Sequence, residues 1–179
     1  HIIDEKKKFI KKIRESAGII NQGFITTFGV KPNHPSTSMG YISSDKKRIE
    51  NGFLIKKFIE KPKIEKAKRL IKSKNSFWNS GIFLFSGKSF LDESNMHSQK
   101  TINLAKKVLE KIKDDLVFKV LPKNIFKNFK DIPFDIAIME KTKNAAVVPV
   151  DFKWFDVGSW KGVWDVVQKD KNQNSLNKN

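Results

Sequence analysis

The sequence predicts an α/β fold: a mostly parallel sheet with helices on both faces. Three observations support this. Strand-like and helix-like segments alternate along the chain. Residues 23–30 (GFITTFGV) and 81–85 (GIFLF) are apolar almost throughout, as strands covered on both faces are. Finally, 179 residues with 39% hydrophobic content suffice for one domain with a sizeable core and are too few for two.

The elements follow in order. Residues 4–17 set Phe9, Ile10, Ile13 and Ala17 on one helical stripe, with Asp4 as the expected N-cap. The strand at 23–30 comes next, then a loop, KPNHPSTSMGYI, punctuated by Pro and Ser with Gly40 near its end. Asn51-Gly52 reads as a turn into a strand that stops at Pro62. Ile64, Ala67, Leu70 and Ile71 mark a short amphipathic helix, and Ile102, Ala105, Leu109 and Ile112 a second one after the strand at 81–85. FDIAIMEK reads as helical with Asp135 near its start, and AAVVPV as a short strand. KWFDVGSW reads as a loop, followed by a last helix capped by Ser159. The domain is expected over 1–168. Residues 169–179 have no apolar period and read as a linker or disordered tail.

A formal charge of +17 raises nucleic acid as a partner. Lysine supplies nearly all of it, however, with only Arg14, Arg48 and Arg69 offering the planar fork favoured in base and phosphate readout. The lysines are also spread along solvent faces rather than gathered in a patch, so no nucleic acid is expected, whereas anionic small molecules would be attracted. The absence of cysteine excludes disulfides, thiolate catalysis and Cys-ligated zinc. No apolar run approaches the roughly 18 residues of a membrane span, so a cytoplasmic protein without a membrane partner is expected.

Ligands of such sheets sit beyond strand ends, where loops leave the sheet. The chemically informative residues fall at those places: EKP closes one strand, WNSG opens another, and WFDVGSW follows a third. Glu60, Lys61, Asn79 and Asp156 could therefore face one cleft. Carboxylate and amide suit hydroxyls, an ammonium suits phosphate, and an Asp in a Gly-flanked loop suits Mg²⁺. Each motif also has a plain structural reading. Glu-Lys-Pro describes a solvated strand end, Asn79-Ser80-Gly81 a β-bulge or tight turn, and Asp156 a loop organiser. His34, between loop prolines, reads as a loop residue rather than a ligand.

Taken in order, FIEKP, FWNSGIFLF, FDIAIMEKT and VPVDFKWFDVGSW resemble bacterial mannose-1-phosphate guanylyltransferases, including the form fused to mannose-6-phosphate isomerase. The resemblance covers nearly the whole chain. HII is similar to the remainder of the family's Ser/Ala-Asp-His strand end, and PSTSMGYI to its Pro-x-Thr-Gly-Tyr-Gly-Tyr-Ile loop, with Ser38 and Met39 where the family has Gly and Tyr.

The resemblance implies a Rossmann-like nucleotidyltransferase sheet that here lacks its N-terminal strands. The implied reaction takes GTP and mannose 1-phosphate to GDP-mannose and pyrophosphate, with Mg²⁺ as cofactor. Carried over by position, Glu60 binds mannose hydroxyls, Lys61 the sugar's phosphate, and Asn79 the sugar. Gly40 offers backbone amide, Trp78 and Ser80 shape the pocket, and Asp156 is one of two metal carboxylates. The Gly-rich phosphate loop and the other metal ligand are expected upstream of His1, so the isolated chain is expected to be the C-terminal part of the domain and inactive alone. Self-association into a homo-oligomer stays open. The alternatives are a pyrophosphorylase for another sugar 1-phosphate and nucleotide pair, a noncatalytic sugar-nucleotide-binding module, and, least favoured, a basic RNA-binding protein.

Overall fold

The computed structural model describes residues 1–175. Strand β1 (Ile2–Ile3) leads into helices α1 (Lys6–Glu15) and α2 (Ala17–Asn21). Strands β2 (Ile25–Val30), β3 (Tyr41–Ile49) and β4 (Gly52–Ile59) follow, then α3 (Ile64–Leu70) and β5 (Ser76–Leu84). The long helix α4 (Gly87–Glu110) precedes a small ribbon, β6 (Lys113–Asp115) and β7 (Phe118–Val120), and a short helix α5 (Lys123–Phe126). A π-helical turn (Asp135–Met139), β8 (Ala145–Val150), β9 (Trp154–Phe155) and α6 (Trp160–Val166) complete the chain.

The centre is a ring of strands, each hydrogen-bonded to two others, in the order β2, β5, β3, β4, β8. Of its pairings β2–β8 alone is parallel; β2–β5, β3–β5, β3–β4 and β4–β8 are antiparallel. The expected mostly parallel sheet is thus corrected to a mostly antiparallel one. Connection length explains the difference. Only Glu50 and Asn51 separate β3 from β4, and so short a link can join only antiparallel neighbours. The parallel pair runs from Ile25↔Ala145 to Val30↔Val150 and has the whole stretch between β2 and β8 as its crossover.

Helices do cover both faces. On β2 and β8 alternate residues point opposite ways. Ile25, Ala145 and Val147 join Ile42, Phe58 and Phe77 in a core closed by Ile138 and Met139 of the π-helical turn. Phe28, Ala146 and Val148 meet Ile19 of α2, with Phe9 and Ile13 of α1 packed against them. A third cluster sets Tyr41 and Trp78 against Ala67 of α3.

Several local expectations change. Glu5, not Asp4, stands at the N-cap of α1 and makes no side-chain capping bond. Residues 41–42, expected at a loop end, open a strand that runs to Ile49, and β5 starts at Ser76, five residues earlier than its apolar run. Helix α4 starts at Gly87, capped by Ser86, whose side chain accepts the Ser89 N–H at 3.0 Å. The ribbon β6–β7 is too short for its pattern to betray it, with three residues in each strand, and its tip, Leu116 and Val117, is exposed. Ser159 does cap α6, accepting from Gly162 N–H at 3.1 Å. Within the expected tail, Asp170 accepts the N–H groups of Asn172 and Asn174 at 2.9 and 2.8 Å; residues 176–179 lie outside the described residues. Among the described residues, no helix is long and apolar enough to cross a membrane.

Candidate active site

The polar insert in β5 is a bulge. Thr27 lies opposite Phe83 and Gly29 opposite Asn79, so a two-residue step along β2 faces a four-residue step along β5. The extra length is taken up around Gly81, whose φ of +70° is open to glycine and costly for other residues. The bulge leaves Asn79 buried yet at the wall of a cavity.

Three bonds hold Asn79. Its backbone N–H donates to the Gly40 carbonyl at 2.8 Å. Its side-chain Nδ2 donates to Asp135 Oδ1 at 2.9 Å, and its Oδ1 accepts from the Thr27 hydroxyl at 2.8 Å. The amide orientation follows from the partners: an ionised carboxylate can only accept, so the NH₂ faces Asp135 and the oxygen is left for Thr27.

Glu60 and Lys61 follow the end of β4. The Glu60 N–H donates to Glu140 Oε1 at 2.9 Å, tying the strand end to the segment after the π-helical turn. Lys61 adopts a left-handed φ of +41°, a conformation that costs a non-glycine residue about 1–3 kcal/mol and collects at ligand sites. Its side chain is 64% exposed, with Nζ 3.8 Å from Glu60 Oε1, so it remains free to swing to a ligand. Burial pushes the Glu60 carboxyl above its ordinary range, and the Asp135 charge adds to the rise while Lys61 opposes it. Burial likewise raises Asp135, against the hydrogen bond from Asn79 and the Lys61 charge.

Gly40 closes the same wall. A Cβ placed there would lie 2.5 Å from Glu60 Oε2. Gly40→Ala is therefore expected to push the Glu60 carboxylate aside, raising the KM for whatever substrate the cavity takes about tenfold with little change in Tm, since a one-ångström displacement of a binding group costs that much or more. Unchanged KM would show that Glu60 yields without leaving its ligand.

The last wall comes from the chain ends. Pairing of β1 with β9 sets Ile2 opposite Phe155 and Ile3 opposite Trp154, bringing His1 and Asp156 to the cavity. Asp156 Oδ1 accepts the Gly158 N–H at 3.0 Å, which shapes its loop.

The result is a cavity of about 200 Å³ lined by Glu60, Lys61, Asn79 and Asp156, the four residues placed in one cleft from the sequence, together with Gly40 and Ser80. Trp78 is placed elsewhere. It packs against Tyr41 and Ala67, with its ring edge-on to His34 at 4.8 Å between centroids. Asp135 and Trp154 also line the cavity, and neither they nor the supporting Thr27 stood out as site residues. Thr27 carried a signal, a hydroxyl inside an apolar strand, of the same kind as Asn79. Asp135 was read only as lying near a helix start.

The donor set can be tested against a divalent ion. Asp156 offers a hard oxygen, and Glu60 and Asp135 line the same cavity. Among the described residues no group of three or more His, Cys, Asp or Glu could hold a metal. An ion coordinated by protein alone does not fit here; a divalent ion that shares one or two carboxylates with a bound phosphate does.

Comparison with known proteins agrees with this architecture. The chain is 35% identical over 176 residues to the mannose-1-phosphate guanylyltransferase of Salmonella muenchen, covering 98% of this chain and 37% of that protein. It is 38% identical over 178 residues to mannose-1-phosphate guanylyltransferase 2 of Escherichia coli O157:H7, covering 96% and 37%. The chain thus spans little more than a third of the length of these curated relatives. A crystal structure described as mannose-6-phosphate isomerase from Helicobacter pylori superposes with a TM-score of 0.78 at 29% identity, over 87% of this chain and 60% of that one. A Thermus thermophilus structure at 24% identity, also with a TM-score of 0.78, supports the fold alone. The family model described as nucleotidyl transferase matches residues 1–173, and the chain belongs to that family.

Proposed function

We propose that this protein transfers GMP from GTP to mannose 1-phosphate, giving GDP-mannose and pyrophosphate, and that this chain supplies the sugar subsite and part of the metal site. The observation that carries the proposal is the convergence of hydroxyl acceptors, an exposed ammonium and a loop carboxylate on one small cavity. The relatives' names support the choice of sugar and nucleotide.

The transfer needs no protein nucleophile. A phosphate oxygen of the sugar forms a bond to the α-phosphorus of GTP as the bond to the bridging oxygen breaks, and pyrophosphate leaves with that electron pair. The protein's part is position and charge. Glu60 accepts hydrogen bonds from ring hydroxyls, and the remaining Asn79 N–H donates one. Ser80 shapes the wall beside them. Lys61 reaches the sugar's phosphate and holds it in line. Asp156 would hold Mg²⁺, which when bound neutralises charge on the phosphates. The cytoplasm, where nucleoside triphosphates are abundant, is the setting we assign.

The test uses the protein as encoded, with any sequence that precedes His1. Pyrophosphate release is followed with Mg²⁺, mannose 1-phosphate, and GTP, ATP, UTP or dTTP in turn. Release favouring GTP supports the proposal, release with another pair changes the substrates, and no release from folded protein favours a noncatalytic binding module. Lys61→Ala is expected to raise the sugar-phosphate KM by about 10- to 100-fold, the range of a lost charge-assisted hydrogen bond of about 1.5–3 kcal/mol. A change confined to nucleotide affinity would reverse the two half-sites.

A further inference from the structure

The cavity is acidic, although the chain carries a net charge of +17. We propose that Asp135, with Glu60, makes this site selective for uncharged pyranose 1-phosphates and closes it to sugars that carry a ring carboxylate, the hexuronic acid 1-phosphates. The proposal rests on the reading of the cavity as the sugar subsite, and deepens it by naming a specificity-determining residue.

Charge supplies the first argument. Glu60, Asp135 and Asp156 line the cavity against one lysine ammonium, that of Lys61; His1 is the remaining ionisable lining side chain. Lys61 is largely exposed and lies beside Glu60, where it suits the phosphate rather than the ring. Glu140 adds a further carboxylate behind Glu60, through its bond to the Glu60 N–H. The carboxyls of Glu60 and Asp135 both lie above their ordinary range, chiefly from burial, and Glu60 is raised further by the Asp135 charge. A ligand carboxylate would crowd a site where negative charge is already costly.

Hydrogen-bond inventory supplies the second. The Asn79 oxygen is committed to Thr27 and one of its N–H groups to Asp135, which leaves one N–H for a ligand. A carboxylate has only acceptors to offer, so it can pair with the Asn79 N–H but with none of the ionised carboxylates that line the cavity. A sugar hydroxyl both donates and accepts, so it matches the carboxylates and the single N–H together. Asp135 thus acts twice: its charge repels an acid, and its bond to Asn79 fixes the orientation of the one amide donor.

The experiment compares binding of mannose 1-phosphate and mannuronic acid 1-phosphate by calorimetry, again with the protein as encoded. The wild type is expected to bind the uronate about 100-fold or more weakly, as for a buried like-charge contact. Asp135→Asn keeps an oxygen that can accept from Asn79 and removes the charge; it is expected to shrink that ratio about tenfold. Should the variant not fold, Glu60→Gln tests the same charge, with the same shrinkage expected. Comparable wild-type affinities for the two sugars, or an unchanged ratio in a folded variant, would overturn the proposal and leave the sugar subsite standing. Failure of both ligands to bind would overturn the subsite reading and this proposal with it.

Discussion

Asp156→Asn lowers the Mg²⁺-dependent pyrophosphate release proposed above by about 100-fold or more at saturating substrates; this is the expected result, on the scale of losing a preorganised electrostatic contact in the transition state. The substitution isolates charge from architecture. In the native loop Asp156 Oδ1 accepts the Gly158 N–H at 3.0 Å, and the amide oxygen of asparagine can keep that bond. The turn before α6 and its Ser159 cap should therefore persist, and Tm should stay within about 2 °C, as expected where no buried group loses a partner. What disappears is the anionic oxygen that a hard cation requires. The measurement is a Mg²⁺ titration of turnover beside a melting curve. Normal turnover at saturating Mg²⁺ would remove Asp156 from the metal site.

Asn79→Asp is expected to be the most damaging conservative change in the sheet, in a manner that depends on pH. The native amide donates to Asp135 at 2.9 Å. An aspartate at position 79 sets two carboxylates at that separation, and they cannot both ionise. One of the pair is then held protonated in the folded state, with a pKa raised well above its unfolded value near 3.9. The sign follows from linkage. A carboxyl raised on folding binds more protons in the native state, so the penalty is absent below about pH 4 and grows as pH climbs towards the raised value. A shift of two units or more corresponds to about 3 kcal/mol at pH 7.5, or roughly 10 °C in Tm for a domain of this size. Melting curves of variant and wild type at pH 4 and pH 7.5 decide it. An equal difference in Tm at both values would mean that Asp135 and residue 79 do not share charge.

The lining of the cavity was more legible in the sequence than the sheet around it. Glu60, Lys61, Asn79, Ser80 and Asp156 stood out because each places a polar residue where a strand ends or should be apolar, whereas Gly40 entered through the family resemblance alone. Strand direction left no such mark. Apolar content alone cannot tell a strand covered by crossover helices from one covered within a ring of antiparallel pairs. The two-residue link at Glu50-Asn51 was the available clue, since it dictates a hairpin, but residues 43–48 (SSDKKR) carry no strand-like pattern and predict no element. They are strand because Ser43 and Ser44 pair with Lys57 and Ile55 of β4, a tertiary fact that local composition does not carry. Asp135 went unnoticed as a site residue for a similar reason. An acid near a helix start has an ordinary electrostatic explanation, and only the fold brings it to Asn79, 56 residues away in sequence. Trp78 erred the other way. It neighbours Asn79 in the chain but points away from the cavity, towards Tyr41 and α3.

The extra length in β5 has a bearing on how such a protein can change over time. A four-residue step facing a two-residue step is an even excess, so Phe77 and Phe83 remain in one core while Ile82 and Leu84 remain in the other. An odd insertion would have exchanged the two faces beyond it. Removing Ser80 and Gly81 together would leave a regular strand and both interiors intact, and would take away one wall of the cavity. A change of even length at this point therefore keeps both interiors in phase, whereas one of odd length would not.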